Sequence, residues 1–569
     1  MAGYTVNPVI PVPSSTATTT SLVSSEGMRT LIIAVLTLTA CNLPMTSSDG
    51  GLEPEPVTDA GMISTDAGMI STDAGLARCG EGTMPADGVV ITTSGAVSGL
   101  AQGDVFAWLG VPYVRAPVGA LRWRAPEPMT CWQGVRPAIA AGPICPQLTS
   151  DGGVVGQEDC LTVNVFAKRG ATAAPVMVWI HGGGNTVGSG SDELFDGRDL
   201  ASKQGAVVVT MNYRLGALGY FVHAGLNAEN DAGVSGNYGI LDQQAALRWV
   251  RDNARAFGGD PSKVLLFGES AGGQNTMLHL VAPGSKGLFS AAIAESGGLY
   301  GTTLAEAQTA LQFVVTGAGC GAAADQLACL RSASVATLAG LSSAVSPLDR
   351  GARFSPVTDG VVMPADPLTL VRQGKQHGVP VILGTNSDET SRMVANVTTD
   401  TEYQAAVRAQ YGTMRGNLAL AQYPSSRFTS PRAALVALTT DATWTCPIRR
   451  FARALASTQQ APVYRYFFTW RSAGPLGNIV GATHGLEVPF VFRSFSAIAN
   501  FTPDANAQAL SDAMQGYWAT FAATGTPTGR VAWARFPMNG DSALELNNTI
   551  APLTSVRASD CDFIDSLVP

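Results

Sequence analysis

The stretch that decides the fold is Val264-Leu-Leu-Phe-Gly-Glu-Ser-Ala-Gly-Gly273. Four apolar residues run straight into Gly268-Glu269-Ser270-Ala271-Gly272-Gly273, and a helix-compatible segment follows through Leu280. A strand that turns sharply into a helix at G-x-S-x-G is the setting of a nucleophile elbow. The small residues have a physical reason to be there. Bulk at Gly268 or Gly272 would clash where strand and helix approach, and Ser270 is expected to take a strained backbone conformation. The helix that starts after Ser270 aims its positive end and unpaired N–H groups at the same spot.

Working outward, three continuous apolar runs, residues 176–180, 206–211 and 264–267, are bounded by turn residues and read as strands buried on both faces. A fourth, residues 379–383, contains Pro380, which weakens its claim to the sheet centre. Between the second and third runs, residues 241–257 have helical spacing, with Ala246, Leu247, Val250 and Ala254 on one side, and stop at Gly258-Gly259. From Cys79 onward this alternation predicts an α/β fold with a large, mostly parallel central sheet flanked by helices.

A serine hydroxyl is a weak nucleophile at neutral pH, so it needs a base and a pocket of donors for the developing oxyanion. His181-Gly182-Gly183-Gly184 directly follows the first strand, and glycines let backbone N–H groups approach a substrate oxygen without Cβ obstruction. The N–H groups of Gly183, Gly184 and Ala271 are the expected donors. The chain has only five histidines, so the base is assigned by elimination. His181 lies at the glycine loop, His279 packs on the helix after Ser270, and His223 and His377 suit surface or turn positions. His484, in a Gly-rich loop, remains. In α/β-hydrolases the acid follows the serine and precedes the histidine. Glu389 fits, and Asp388 beside it fits equally by spacing alone.

These segments, with Asp260-Pro-Ser-Lys263 before the strand, Gly156-Gln-Glu-Asp-Cys-Leu-Thr-Val-Asn-Val165, Asn212-Tyr-Arg-Leu-Gly216 and Leu247-Arg-Trp-Val-Arg-Asp-Asn253, closely resemble the type-B carboxylesterase (cholinesterase-like) family of the α/β-hydrolase superfamily, over about residues 85–565. The resemblance implies a serine carboxylesterase with a Ser270, Glu389, His484 triad. It selects Glu389 over Asp388, although Thr390 stands where the family usually has glycine. His484 to Phe492 matches its histidine segment. Ser296 matches a position that hydrogen-bonds the acid and, with Glu269 beside the serine, is expected to support the site. The resemblance also implies bridges Cys145–Cys160, Cys320–Cys329 and Cys446–Cys561, with Cys79 and Cys131 left as a weaker pair. Two departures bear on substrate. The loop between Cys145 and Cys160 has no tryptophan to hold a quaternary ammonium by cation-π attraction, and it is short, polar and Gly-rich, unlike an amphipathic lipase lid. Asn185 stands where an aromatic commonly follows the glycine loop, which suggests a looser acyl pocket.

Composition agrees with a small-molecule enzyme. Hydrophobic residues make up 46% of the 569 positions and charged residues 14%, with net charge −8 and no long Lys/Arg run, which argues against a nucleic-acid partner. No cofactor is required, and no Cys/His spacing suggests a metal. Residues 31–40 form an apolar run too short to span a bilayer, ending in Leu38-Thr-Ala-Cys41. Residues 28–40 are therefore read as a lipoprotein-type signal peptide and Cys41 as its acylated residue, a longer ordinary signal peptide or a chance match being the alternatives. Residues 1–27 are an extension upstream of a start-like Met28. Residues 41–78, with their Thr-Asp-Ala-Gly-Met-Ile-Ser repeats, are a flexible linker, and residues 79–569 are the folded domain. The expected protein is extracytoplasmic, lipid-anchored or secreted, and meets a membrane only through that anchor. The alternatives to an esterase are a lipase for longer acyl chains and a non-catalytic, adhesion-type relative; the intact Ser270, Glu389 and His484 speak against the latter.

Overall fold

The computed structural model describes residue 79 and residues 87–299, 301–343, 348, 354–498 and 501–567. The proposed extension, signal peptide, Cys41 and repeat linker lie outside the described residues.

The apolar runs become neighbours in one sheet. Its strands are β1 (Val89–Thr92), β2 (Gly95–Gln102), β3 (Val105–Pro112), β4 (Thr162–Lys168), β5 (Ala174–Ile180), β6 (Val207–Met211), β7 (Gly259–Glu269), β8 (Ala291–Glu295), β9 (Val381–Asn386), β10 (Val463–Phe468), β11 (Ala543–Leu546) and β12 (Ala551–Leu553). Their spatial order is β1-β2-β3-β4-β6-β5-β7-β8-β9-β10-β11-β12, with the short strand Val135–Ala138 beside β2. Every pairing from β6 to β11 is parallel. The pairings from β1 to β6 and between β11 and β12 are antiparallel, while Val135–Ala138 runs parallel to β2.

Parallel strands need crossovers, and these supply the covering helices. The helices used below are α1 (Gly216–Tyr220), α2 (Tyr238–Asn253), α3 (Ala271–His279), α4 (Pro431–Thr440), α5 (Cys446–Thr458), α6 (Ala505–Thr524) and α7 (Ala558–Ser566). The period of two along each strand divides the interior. Val176, Val178, Ile180, Val264 and Leu266 pack with Ala246, Leu247 and Val250 of α2 on one face. Met177, Trp179, Leu265 and Phe267 pack with Met514, Trp518 and Phe521 of α6 on the other. Each fully buried side chain of this size contributes roughly 1.5–3 kcal/mol.

Two expectations are adjusted. The run containing Pro380 supplies a central strand, because β9 starts only after the proline. Pro380, which lacks a donor, still accepts from Ala292 N at 3.0 Å. The predicted helix over residues 241–257 starts at Tyr238 and tightens into a 3-10 turn over Ala254–Phe257, closed by Gly258 at φ 82°.

Candidate functional site

Ser270 occupies the corner between β7 and α3 at φ 57° and ψ −121°. Such a conformation costs a non-glycine residue about 1–3 kcal/mol and persists only where its surroundings enforce it. The enforcement is visible at the neighbouring glycines. A Cβ on Gly268 would lie 2.6 Å from Ile180 O, one on Gly272 2.0 Å from the same oxygen, and one on Gly273 2.5 Å from Glu295 O. Ser270 N donates to Glu295 O at 2.9 Å.

The glycine loop that leaves β5 lies against this corner. A Cβ on Gly182 would come within 3.1 Å of the Ser270 Cβ and 2.9 Å of Glu269 Oε2. Gly183 and Gly184 take φ values of 101° and 64°. Among the described residues, the N–H groups of Gly183, Gly184 and Ala271 donate to no partner.

His484 comes from the loop ahead of the helical turn Val488–Phe492. Its Nδ1 lies 2.6 Å from Glu389 Oε2, while Nε2 makes no hydrogen bond among the described residues and sits 3.2 Å from Glu269 Oε1. Glu389 starts a 3-10 turn at the C-terminal end of β9 and is fully buried. Its other oxygen accepts from Ser296 Oγ at 2.6 Å and Asn386 N at 2.7 Å. Asp388, the alternative acid, points elsewhere: it accepts from Ala482 N at 3.0 Å and Arg471 at 2.8 Å. Thr390 is buried as well, and its hydroxyl donates to Val436 O of α4 at 3.1 Å.

Three residues that the sequence reading left without a role complete the surroundings. Trp444 lies against His484, with ring centroids 4.8 Å apart and the ring planes tilted by 43°. It sits in a π-helical turn, Asp441–Thr445, between α4 and α5, an irregularity that often marks functional sites. Glu487 accepts from Ser296 Oγ at 3.4 Å and also bonds Asn386, whose Nδ2 donates to Thr483 O at 2.9 Å. Its only sequence signal was its place three residues after His484. Glu295 accepts from Trp518 Nε1 at 2.9 Å.

Buried carboxyls thus crowd a single imidazole. Burial, reinforced by the Glu389 charge, pushes Glu269 up to about 7. Burial pushes Glu295 up to about 8 and holds Glu487 well above the usual carboxylate range. For His484 burial works in the opposite sense, but the charges of Glu269 and Glu389 and the Glu389 hydrogen bond prevail and raise it to about 9.

The other histidines take supporting places. His181 is buried, stacks on Tyr213 at 4.4 Å and is lowered to about 4 by that burial. His279 packs between Gln243 and Ser285. His223 caps the short helix Ala224–Asn227, and His377 bonds Ala282 O. Asn185 is buried and bonded to Asn275 and Tyr220. The loop between Cys145 and Cys160 forms a small hairpin, Gln147–Leu148 against Val154–Val155. Gln147 grips Gly188 at both its N–H (2.8 Å) and its carbonyl (2.9 Å). All four cysteine pairs, Cys79–Cys131 included, are bonded.

The parallel sheet with its serine at a strand-to-helix corner has the architecture of an α/β-hydrolase. A solved structure of PNB esterase superimposes with TM-score 0.73 at 33% identity, covering 84% of this chain and 99% of that one. The Carboxylesterase family pattern matches residues 86–564, and the chain belongs to that family. Para-nitrobenzyl esterase of Bacillus subtilis (strain 168) is 36% identical over 479 residues, 81% of this chain and 95% of the relative. Fumonisin B1 esterase of Sphingopyxis macrogoltabida is 36% identical over 475 residues, 79% and 85% respectively. Acetylcholinesterase of Bungarus fasciatus is 32% identical over 530 residues, 84% and 86%. The protein is a carboxylic ester hydrolase.

Proposed function

We propose that the protein hydrolyses small to medium carboxylic esters through an acyl-enzyme on Ser270. The observation that carries this reading is the Glu389–His484 contact of 2.6 Å, with His484 Nε2 3.2 Å from Glu269, the residue before a serine held at φ 57°. Ser270 Oγ attacks the ester carbonyl carbon while His484 Nε2 accepts its proton. Glu389, bonded to Nδ1, fixes the ring's orientation and stabilises the imidazolium. The N–H groups of Gly183, Gly184 and Ala271 receive the oxyanion, each donor being worth roughly 3 kcal/mol in the transition state. His484 then returns the proton to the departing alkoxide, and the alcohol leaves. In the second half a water gives its proton to Nε2 and attacks the acyl carbonyl. Collapse of that intermediate breaks the bond to Ser270 Oγ, which regains the proton, and the carboxylic acid departs.

The hairpin between Cys145 and Cys160 supports soluble esters as substrates over fat droplets, because Gln147 is committed to holding Gly188. A chain-length series tests this: p-nitrophenyl butyrate should exceed long-chain triglyceride emulsions in kcat/KM, and a jump in rate above a substrate's solubility limit would contradict it. We also propose that residues 28–40 direct export, that Cys41 is lipid-modified and that residues 41–78 tether the domain. The lipobox-like Leu38-Thr-Ala-Cys41 and the Gly-containing repeats support that reading.

A further inference from the structure

The donor pocket proposed above draws on two separate segments. Gly183 and Gly184 belong to a loop of consecutive glycines that is closed on itself by Thr186 N and Val187 N donating to Gly183 O at 3.1 Å, bonds that do not fix its place against α3. Ala271 is fixed at the start of α3. Donors stabilise a developing oxyanion only if they are already in place, so something must hold the loop in register with the helix.

Asn185 is built to do this. It directly follows Gly184, is 1% exposed, and takes φ 58°, which asparagine tolerates better than most residues. Its main-chain carbonyl accepts from Gly216 N, the first residue of α1, at 2.7 Å. Its side-chain oxygen accepts from Asn275 Nδ2 at 2.9 Å and from Tyr220 Oη at 3.2 Å, which uses both lone pairs. Asn275 stands four residues after Ala271, on the same side of α3. It is fully buried, as is Tyr220 at the end of α1. One amide oxygen therefore ties the glycine loop to the helix that carries the third donor. We infer that Asn185 is a positioning residue for ester hydrolysis: its bond to Asn275, steadied by Tyr220, holds the N–H groups of Gly183 and Gly184 in register with that of Ala271. The inference rests on Ser270 being the nucleophile and on these three N–H groups forming the oxyanion pocket.

The test uses the full chain with Asn185→Gly, which keeps the positive φ and removes the amide, Asn275→Ala, which cuts the other end of the link, and the double variant. Active sites are titrated by the p-nitrophenol burst. Then kcat and KM for p-nitrophenyl butyrate, and inhibition by an aryl trifluoromethyl ketone that forms a tetrahedral adduct, are measured per active site. Each single change should lower kcat about 10- to 100-fold, in keeping with a misplaced rather than a deleted donor. KM should stay within about two-fold, ketone affinity should fall in parallel with kcat, and the double variant should be no worse than the poorer single one. A residue that only fills space would lower the titratable fraction and the melting temperature but leave ketone affinity per site unchanged. That result, or kcat within two-fold of the parent in the variants, overturns the inference; should Asn185→Gly not fold, Asn275→Ala decides alone. A parent enzyme with turnover but no covalent burst or Ser270 adduct would instead overturn the nucleophile reading beneath it.

Discussion

In the proposed mechanism the chemistry turns on His484, and its surroundings make a specific demand on pH. A neutral ring is needed to take the serine proton, yet the carboxylates beside it favour the charged form and raise it to about 9. Activity should therefore fall as pH drops below that value, with the loss growing as more rings carry a proton. Glu269 contributes a large part of the stabilising charge. Replacing it with glutamine removes that charge, lowers the His484 pKa and lets the neutral base persist at lower pH. The acid limb of kcat/KM in Glu269→Gln should accordingly move down by roughly a unit. A limb that stays in place or moves up would show that Glu269 does not set the protonation of His484. At this scale the sequence was informative where chemistry leaves few choices: five histidines, and a glycine-bounded serine. It could not rank Asp388 against Glu389 by spacing, because adjacent residues diverge only once the turn after β9 is formed, sending one carboxylate to Arg471 and the other to His484. Trp444 was illegible for a related reason: a π-helical turn aims it, and no residue pattern announces such a turn.

The corner formed by β7, Ser270 and α3 depends on close backbone approach. Gly272→Ala would place a methyl group 2.0 Å from Ile180 O, on a central strand that has no room to retreat. It should destabilise the protein by about 1–3 kcal/mol and abolish most activity, because the shift falls beside Ser270. Gly516 in α6 is the matched contrast, since a Cβ there meets nothing within 4 Å. Gly516→Ala should raise stability by about 0.5–1 kcal/mol through helix propensity and leave kcat unchanged. Thermal melts and kcat for the two variants check both outcomes; a harmless Gly272→Ala would refute the packing account of the elbow. The strands were legible because residues buried on both faces must be continuously apolar, as in β5 and β6. The place of β9 was harder to read, because Pro380 argues against a central strand unless it stands just outside the paired segment. At the antiparallel margin β2, Gly95–Gln102, mixes buried and exposed positions and gives no comparable run.

Across the whole molecule the cysteines connect fold to location. Cys446 and Cys561 bridge 115 residues and fasten α7 to the start of α5, a constraint of roughly 4–5 kcal/mol in the chain-entropy account. Four bonded pairs suit an oxidising compartment and leave Cys41 as the one cysteine outside them. That motivates the anchor proposal, for which Cys41→Ser should move active esterase out of the membrane fraction, or stall export, without changing kcat. Fractionation with an activity assay reads the result, and activity that stays equally membrane-bound would refute the anchor while leaving the hydrolase intact. The central claim is that Ser270 carries the acyl group. Its most direct test is to label the full-length enzyme with a fluorophosphonate and locate the adduct by peptide mass mapping. One adduct on Ser270 is predicted, absent in Ser270→Ala, with kcat of that variant lower by several orders of magnitude at an unchanged melting temperature. An adduct on another residue, or turnover retained in Ser270→Ala, would contradict the account.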